Sequence, residues 1–335
     1  MRAYIELDSK KLEDNYDEIL NKTKKDIIAV VKSNAYGHGL IEICRILQKK
    51  QPKMFAVSTL EEAILIRKNL IFTPILLLCK EDDYRAIYNY KLTASIISME
   101  NLKALARTPF PLICHLCIDT GLNRDGILPS QLSEALEIIK NSRLILKGVY
   151  THYSSLKEFN YQHDIFAKVL NQIPKKNLII HSQATSTMME DCQDCNTIRI
   201  GLALYGLDKK NNYKPILTLK APIIRINRVL KGTKVGYDGS EATKSDGFLL
   251  TCAIGYADGL SRNEKYLGYV DNFYVPQIGY IFMDHIIFFS LKIPKDNFVE
   301  LIGEHISTLD IANFHNTIPY EIIAHLATRI KRFVI

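Results

Sequence analysis

The stretch "AVVKSNAYGHG", residues 29–39, decides how the rest of the chain is read. An apolar run that begins at Ile27 ends at Val31 and is followed by Lys32, then by small and polar residues, a tyrosine and two glycines. Lysine is almost never fully buried unless paired. A strand that closes in a lysine therefore belongs where strand ends open onto a site or onto water. In a barrel of parallel strands that place is the C-terminal mouth, where active sites are built. A lysine there either forms a Schiff base in a partly desolvated site or carries its ammonium out to solvent on an apolar stem. The glycines do not complete a nucleotide loop. "YGHG" lacks the third glycine of GxGxxG, and no GxxxxGK[ST] occurs.

Seven further apolar runs follow at Met54 to Ser58, Pro74 to Leu78, Leu92 to Ile97, Pro111 to Asp119, Ile145 to His152, Leu178 to Ser182 and Thr197 to Gly201; with Asp26 to Lys32 they read as eight strands. Between them, segments such as "LIEICRILQKK", "LEEAILIRKNL" and "SQLSEALEIIKNS" repeat apolar residues at i, i+3 and i+4, the helical period. Ser98 and Ser130 stand where helix N-caps are expected. Strand and helix alternating in this way predict a (β/α)₈ barrel of the TIM type, over residues 9–213. Beyond it, "ILTLKAPIIRINRVL", "GFLLTCAIGYADGL" and "DNFYVPQIGYIFMDHIIFFSL" are β runs broken by Gly, Asp and Pro. They predict a mainly β C-terminal domain over 214–335, and the strand-like residues 1–8 can join either part.

The 335 residues are 47% hydrophobic and 24% charged with a formal charge of +7, an ordinary globular balance with chain enough for two cores. The basic residues are scattered and not interleaved with aromatics, so no nucleic-acid partner is expected. No apolar stretch approaches the ~20 residues of a membrane span. The charged N-terminus and seven cysteines, an odd number, suit reduced thiols and a cytoplasmic location. "DCQDC" places Cys192 and Cys195 at CxxC spacing without a second pair, and Cys114 and Cys117 of "CHLC" point to opposite faces of a strand, so no metal site is expected.

The opening stretch closely resembles the pyridoxal 5′-phosphate (PLP) attachment motif of the alanine racemases. The resemblance runs in order along essentially the whole chain, through "YIELDSKKLEDNY", "CIDTGLNRDGI", "GVYTHYSS", "IRIGLALYGL", "KVGYDG", "AIGYADGL", "GYIFMDH" and "TIPYEIIAHLATRIKR". It implies PLP-dependent two-base racemisation of L-alanine and D-alanine, supplying D-alanine for peptidoglycan. It also implies a head-to-tail homodimer with shared active sites.

By this resemblance Lys32 attaches PLP and is the base on one face of the substrate. Tyr36 contacts the phosphate, or is only a packing aromatic at the strand end. Arg199 faces the pyridine nitrogen; an arginine held in a structural ion pair is the alternative. Gly201 and Leu202 offer backbone N–H groups to the phosphate. His152 stacks on the cofactor ring, or is a satisfied core histidine. Arg124 serves the ring hydroxyl and the substrate carboxylate, for which its fork geometry is suited. Tyr237 is the second base, reaching the partner subunit's cofactor together with Tyr256 and Met283. A phenol is a poor base at neutral pH, and His152 and Arg199 are expected to supply the positive charge it needs. Asp284 orients its loop or is a turn aspartate.

Three positions depart from the family pattern. Thr185 stands where many relatives carry a phosphate-binding serine, and Ser182 or Ser186 could substitute. Cys117 stands where relatives often carry a lysine whose carbamate props the arginine, so an anion or a local hydrogen bond must hold Arg124. Thr328 replaces a common tyrosine. Other readings are a PLP-dependent amino-acid decarboxylase, a racemase of broader substrate range, and a non-enzymatic PLP-binding protein. The decarboxylases' glycine-rich and cysteine-containing motifs are absent here, and the non-enzymatic class lacks the β domain.

Overall fold

The computed structural model describes residues 2–208 and 213–335, so residues 209–212, next to the expected domain boundary, lie outside the described residues. The first strand, β1 (Tyr4–Leu7), does not enter the barrel. The barrel strands are β2 (Asp26–Val30), β3 (Met54–Val57), β4 (Ile75–Leu77), β5 (Ala94–Ile96), β6 (Ile113–Cys117), β7 (Ile145–Tyr150), β8 (Ile179–His181) and β9 (Thr197–Ile200). They are parallel, in the order β4-β3-β2-β9-β8-β7-β6-β5. The ring closes just ahead of β5: Leu77 N–H donates to Thr93 O at 2.9 Å and Thr93 N–H to Ile75 O at 2.8 Å. The expected (β/α)₈ barrel with a mainly β second part is what the chain forms.

Each barrel strand needs two apolar faces, because one faces the barrel axis and the other the helices. Along β2 and β3, Ile28, Val30, Met54 and Ala56 fill the interior. Ile27, Ala29, Phe55 and Val57 pack with the surrounding helices. The strands are shorter than their apolar runs. β2 ends at Val30, leaving Lys32 two residues past it, and the run Pro111 to Asp119 shrinks to Ile113–Cys117. Val31 and Ile118 remain buried beyond the last strand residue, so hydrophobicity outlasts the ladder. Ser98 caps its helix, accepting from Asn101 N–H at 3.1 Å. Ser130 does not: Pro129, with its fixed φ, opens a 3₁₀ turn that takes Ser130 inside it.

The second part adds β10 (Leu217–Val229), β11 (Lys234–Val235), β12 (Glu241–Ala242), β13 (Gly247–Cys252), β14 (Leu267–Val270), β15 (Phe273–Pro276), β16 (Ile286–Ser290), β17 (Phe298–Ile302) and β18 (Lys331–Val334). The main sheet runs β15-β14-β17-β10-β1-β18, and the long β10 also pairs β13, which pairs β16. β1 thus lies antiparallel to β10 and parallel to β18. Its Ile5 and Leu7 join Leu219, Leu250, Phe288 and Val299 in a core separate from the barrel's.

The two parts meet at Gly37. Its φ is +83°, and a Cβ there would lie 2.0 Å from Ile323 O, so both backbone conformation and space require glycine. Its carbonyl accepts from Arg332 Nη2 at 2.8 Å and Nε at 3.1 Å.

Candidate active site

Directly after Lys32 the backbone turns left-handed. Ser33, Asn34, Ala35 and Tyr36 have φ of 54°, 55°, 52° and 54°. Each such non-glycine residue costs about 1–2 kcal/mol, so the turn exists only because its surroundings hold it. Asn34 N–H donates to Glu62 Oε1 at 3.1 Å, and Asn34 Oδ1 accepts from Leu40 N–H at 2.8 Å. Gly39 N–H closes the turn onto Asn34 O at 2.9 Å. The result points Lys32 into the barrel mouth and folds Tyr36 back toward β9. Lys32 is half-buried and makes no ion pair or side-chain hydrogen bond among the described residues.

Tyr36 meets the turn after β9. A Cβ on Gly201 would lie 2.7 Å from Tyr36 Oη, so the hydroxyl sits against bare backbone. Burial pushes the Tyr36 phenol up to about 12, which keeps it protonated. Leu202 is in the same turn, which Leu204 N–H to Gly201 O and Leu207 N–H to Leu202 O, each 2.9 Å, tie down. Thr185 is buried there, its Oγ1 accepting from Ala203 N–H at 3.3 Å. Ser186 is exposed, and Ser182 Oγ is committed elsewhere, to Cys195 at 2.9 Å.

Arg199 is 5% exposed and has no carboxylate partner among the described residues, which removes the ion-pair reading. Nη1 donates to His181 Nδ1 at 2.7 Å and to His181 O at 2.8 Å. Nη2 donates to Thr151 O at 2.7 Å and to His152 Nδ1 at 3.1 Å. A guanidinium has five N–H donors and no acceptor. Four are used, and Nε–H alone has no partner among the described residues. Because arginine only donates, the neighbouring tautomers follow. His152 and His181 each accept at Nδ1 and carry their proton on Nε2. His181 Nε2–H then donates to His115 Nδ1 at 2.9 Å, which leaves the proton of His115 on its own Nε2. This relay spans β6 to β8, across β7, and passes because β7 has Gly148 opposite His115; a Cβ there would lie 2.7 Å from the imidazole. Sequence reasoning missed His115 and His181, although each sits on a barrel strand near the end that carries the site.

Burial first, then the Arg199 charge, lowers His152 to about 3; Arg124 and Lys32 act in the same direction, so all three cations lie close to this ring. His152 is therefore neutral at working pH and supplies no positive charge, contrary to expectation; of this pair only Arg199 is charged. Burial likewise lowers His38 to about 4 and His115 to about 3, and His181 well below its ordinary value. In each case the folded pKa lies below the unfolded one. The unfolded chain therefore takes up protons that the fold refuses as pH falls from about 6.5, on the order of 1 kcal/mol of stability per histidine per pH unit. The urea midpoint is expected to drop markedly between pH 7.5 and pH 5. An unchanged midpoint would show that these imidazoles are not held neutral.

Arg124 stands exposed beside the mouth, with Nε 3.0 Å from Asp125 Oδ2. Cys117 is buried beneath this loop, its Sγ 3.8 Å from Asp125 O. A local contact, the neighbouring carboxylate, thus partners Arg124.

Tyr237, Tyr256 and Met283 form a separate group. Tyr237 opens the 3₁₀ turn between β11 and β12 and its ring lies 5.1 Å from that of Phe282. Tyr256 N–H donates to Phe282 O, and Ala257 N–H to Met283 O, at 3.0 Å each. Tyr237 is 64% and Met283 56% exposed, and among the described residues no hydrogen bond or ring contact joins this group to Lys32. Asp284 accepts from Arg329 at 2.7 Å and Arg2 at 3.2 Å, and Asp258 accepts from the same two arginines. That square of alternating charge fixes both loops, so Asp284 does orient its loop. Thr328 is exposed beside Arg329.

Three features of the barrel mouth suit three parts of one ligand. An uncommitted N–H on a buried, unneutralised cation suits a neutral aromatic nitrogen. A phenol on bare glycine backbone with a threonine hydroxyl suits a phosphate. A lysine with no partner among the described residues suits a carbonyl. PLP combines all three. Among the described residues no set of three or more His, Cys, Asp or Glu side chains can hold a metal ion, and no helix is long and apolar enough to cross a membrane.

Comparison with known proteins matches both parts of the chain to a family. The family model described as alanine racemase, N-terminal domain, matches residues 7–209, and the one described as alanine racemase, C-terminal domain, residues 216–334. An alanine racemase of Geobacillus stearothermophilus is 30% identical across 98% of this chain and 92% of its own. The crystal structure of alanine racemase from Bacillus anthracis with bound L-Ala-P has a TM-score of 0.91 at 28% identity, covering 99% of this chain and 95% of that one. The Bartonella henselae alanine racemase with covalently bound pyridoxal phosphate has a TM-score of 0.88 at 25% identity over 100% of both chains.

Proposed function

The chain belongs to the alanine racemase family and interconverts L-alanine and D-alanine, and from that premise we propose that it does so with PLP held by Lys32 and with one base from each of two subunits. The observation that carries this reading is Arg199: a buried guanidinium with four N–H groups committed to neutral acceptors and, among the described residues, Nε–H left over, in the same barrel mouth as a lysine that has no partner among those residues.

Lys32 would bind the cofactor, and Tyr36, Thr185, Gly201 and Leu202 would hold its phosphate. His152 would lie against the ring and Arg199 would face the ring nitrogen. When bound, PLP supplies the electron sink that makes the substrate Cα–H acidic. Arg199 keeps its own proton, because burial lowers its pKa from a very high starting value without neutralising it. It therefore offers the ring a hydrogen bond and no transferable proton, which moderates the sink and guards against side reactions. His152, locked with Nδ1 accepting from Arg199, cannot compete as a base at that nitrogen. Arg124 would take the substrate carboxylate, its guanidinium steadied by Asp125. Lys32 Nζ would carry the proton on one face of Cα.

The opposite face needs a second carrier, and the family resemblance gives that role to the exposed phenol of Tyr237. It stands with Tyr256 and Met283 on an exposed aromatic surface of the second part, away from its own Lys32. A head-to-tail homodimer would bring that surface over the partner subunit's barrel mouth, and the surface exposure of Tyr237 supports such a partner. D-Alanine made in this way would serve peptidoglycan synthesis in the cytoplasm.

The test is a chiral assay with L-alanine on protein stripped of PLP. Activity is expected to vanish on stripping and return with PLP alone. It should be indifferent to bicarbonate, since the Cys117 thiol cannot become a lysine carbamate. Activity that survives without PLP removes the cofactor assignment. Activity that needs CO₂ at constant pH shows that another group props Arg124.

A further inference from the structure

Cys192 and Cys195 lie in the loop between β8 and β9 and take no part in the chemistry above. Cys195 N–H donates to Cys192 O at 3.2 Å, which closes a turn. Such a turn keeps its end Cα atoms within about 7 Å, overlapping the roughly 4.4–6.8 Å that a disulfide spans. Both thiols point to one atom: Ser182 Oγ is 2.9 Å from Cys195 Sγ and 3.8 Å from Cys192 Sγ. On its other side Cys192 Sγ is 3.8 Å from His163 Nδ1, which also meets Tyr153 Oη at 3.1 Å. Lys25 Nζ reaches Cys192 O at 2.8 Å and Gln183 Oε1 at 2.6 Å. The segment under these thiols is the one that serves the site. Ser182 O is 3.4 Å from Arg199 Nη2, Gln183 O accepts from Arg199 N–H at 2.9 Å, and Thr185 follows.

We propose that Cys192 and Cys195 are a redox-active dithiol, closed to a disulfide by a hydroperoxide and reopened by a dithiol reductant, and that closure loosens the grip of the 181–185 segment on the cofactor. Cys192 loses its proton to His163 and attacks one peroxide oxygen. The O–O bond breaks, an S–O bond forms, and the departing hydroxide takes the proton back from His163 and leaves as water. Cys195 sulfur then attacks Cys192 sulfur, the S–O bond breaks, the S–S bond forms, and the thiol proton leaves with the second oxygen as water. Two thiols and one hydrogen peroxide become one disulfide and two waters, the sulfurs giving up two electrons. The surroundings prepare Cys192 for the first step. Hydrogen bonding from Cys195, and then from Ser182 with His163 and the Lys25 charge, lowers its thiol against the opposing effect of burial, while Cys195 is raised and stays a thiol. Both are buried, at 1% and 2% exposure, so an oxidant must be as small as hydrogen peroxide to reach them. Drawing the sulfurs to about 2.05 Å apart takes them off Ser182 Oγ and leaves that buried hydroxyl without its thiol partners.

The disulfide does not depend on the PLP assignment, whereas the effect on retention rests on it, and two readouts keep them apart. The holoenzyme is treated with hydrogen peroxide, alkylated, digested with trypsin and mapped by mass. The peptide of residues 177–199, which contains these two cysteines and no other, should lack two hydrogens and take up no alkylating group. Dithiothreitol should restore both. The second readout is PLP release on dilution, followed by fluorescence. Oxidised wild type should release PLP about tenfold faster, the effect of one lost buried hydrogen bond, whereas Cys195→Ser and Cys192→Ser should each release it at one rate with or without peroxide. An intact dithiol in peptide 177–199 after the exposed Cys79 has been oxidised overturns the proposal. A disulfide that leaves release unchanged, or a peroxide effect that persists in either variant, overturns its link to the cofactor.

Discussion

Lys32→Ala is expected to give a folded chain that racemises alanine no faster than background and in which borohydride joins no cofactor to any lysine. In the wild type, reduction should leave a phosphopyridoxyl group on the peptide that contains Lys32. The substitution removes the attachment point and one of the two proton carriers together. A single acid–base group contributes about 10²–10⁴-fold, and the loss should exceed the upper end of that range. Lys32 makes no ion pair or side-chain hydrogen bond among the described residues, so its removal should cost the fold little. The strained turn begins one residue later, at Ser33. A melting curve like that of the wild type checks this. Cofactor mass on Lys25 or Lys53 instead, or racemisation that survives the change, would move the active site elsewhere.

Tyr237→Phe should keep PLP yet lose racemisation by about 10²–10⁴-fold, since one face of Cα is left without a proton carrier. The informative experiment combines the two inactive variants. If each subunit lends Tyr237 to its partner's Lys32, a mixed dimer has one site with both defects and one with neither. Random exchange makes about half of the dimers mixed, each with one of its two sites intact, so about a quarter of wild-type activity should return. Exchange confirmed by native mass spectrometry, with no activity regained, would mean that Lys32 and Tyr237 do not cooperate across an interface.

The barrel was legible because its strands are apolar on both faces: Ile27 and Ile28 of β2 are both buried, one in each core. Lys32 stood out for the opposite reason, as a charge after such a run. What periodicity could not convey was contact between distant strands. His115 reaches His181 only because Gly148 lies between them, and nothing in the local sequence of any of the three announces it. Nor does "SNAY" announce four left-handed residues. Asn tolerates that conformation, but Ser, Ala and Tyr have no such bias, and the turn is enforced by Glu62 from another helix. The Cys192 and Cys195 pair was visible as spacing, while their convergence on Ser182 was not.

The clamp at Gly37 bears on how far this enzyme can be taken apart. The loop that presents Lys32 is gripped by Arg332 and pressed against Ile323, and both come from the last fifteen residues of the chain. A chimaera that joins this barrel to another protein's β part would have to keep an arginine and a close carbonyl at those two places. Expressed alone, the barrel would leave Gly37 O without its guanidinium and the left-handed turn without its outer wall. The halves are thus not interchangeable cassettes. Transplanting the cofactor lysine into a new context means carrying the C-terminal tail along with it.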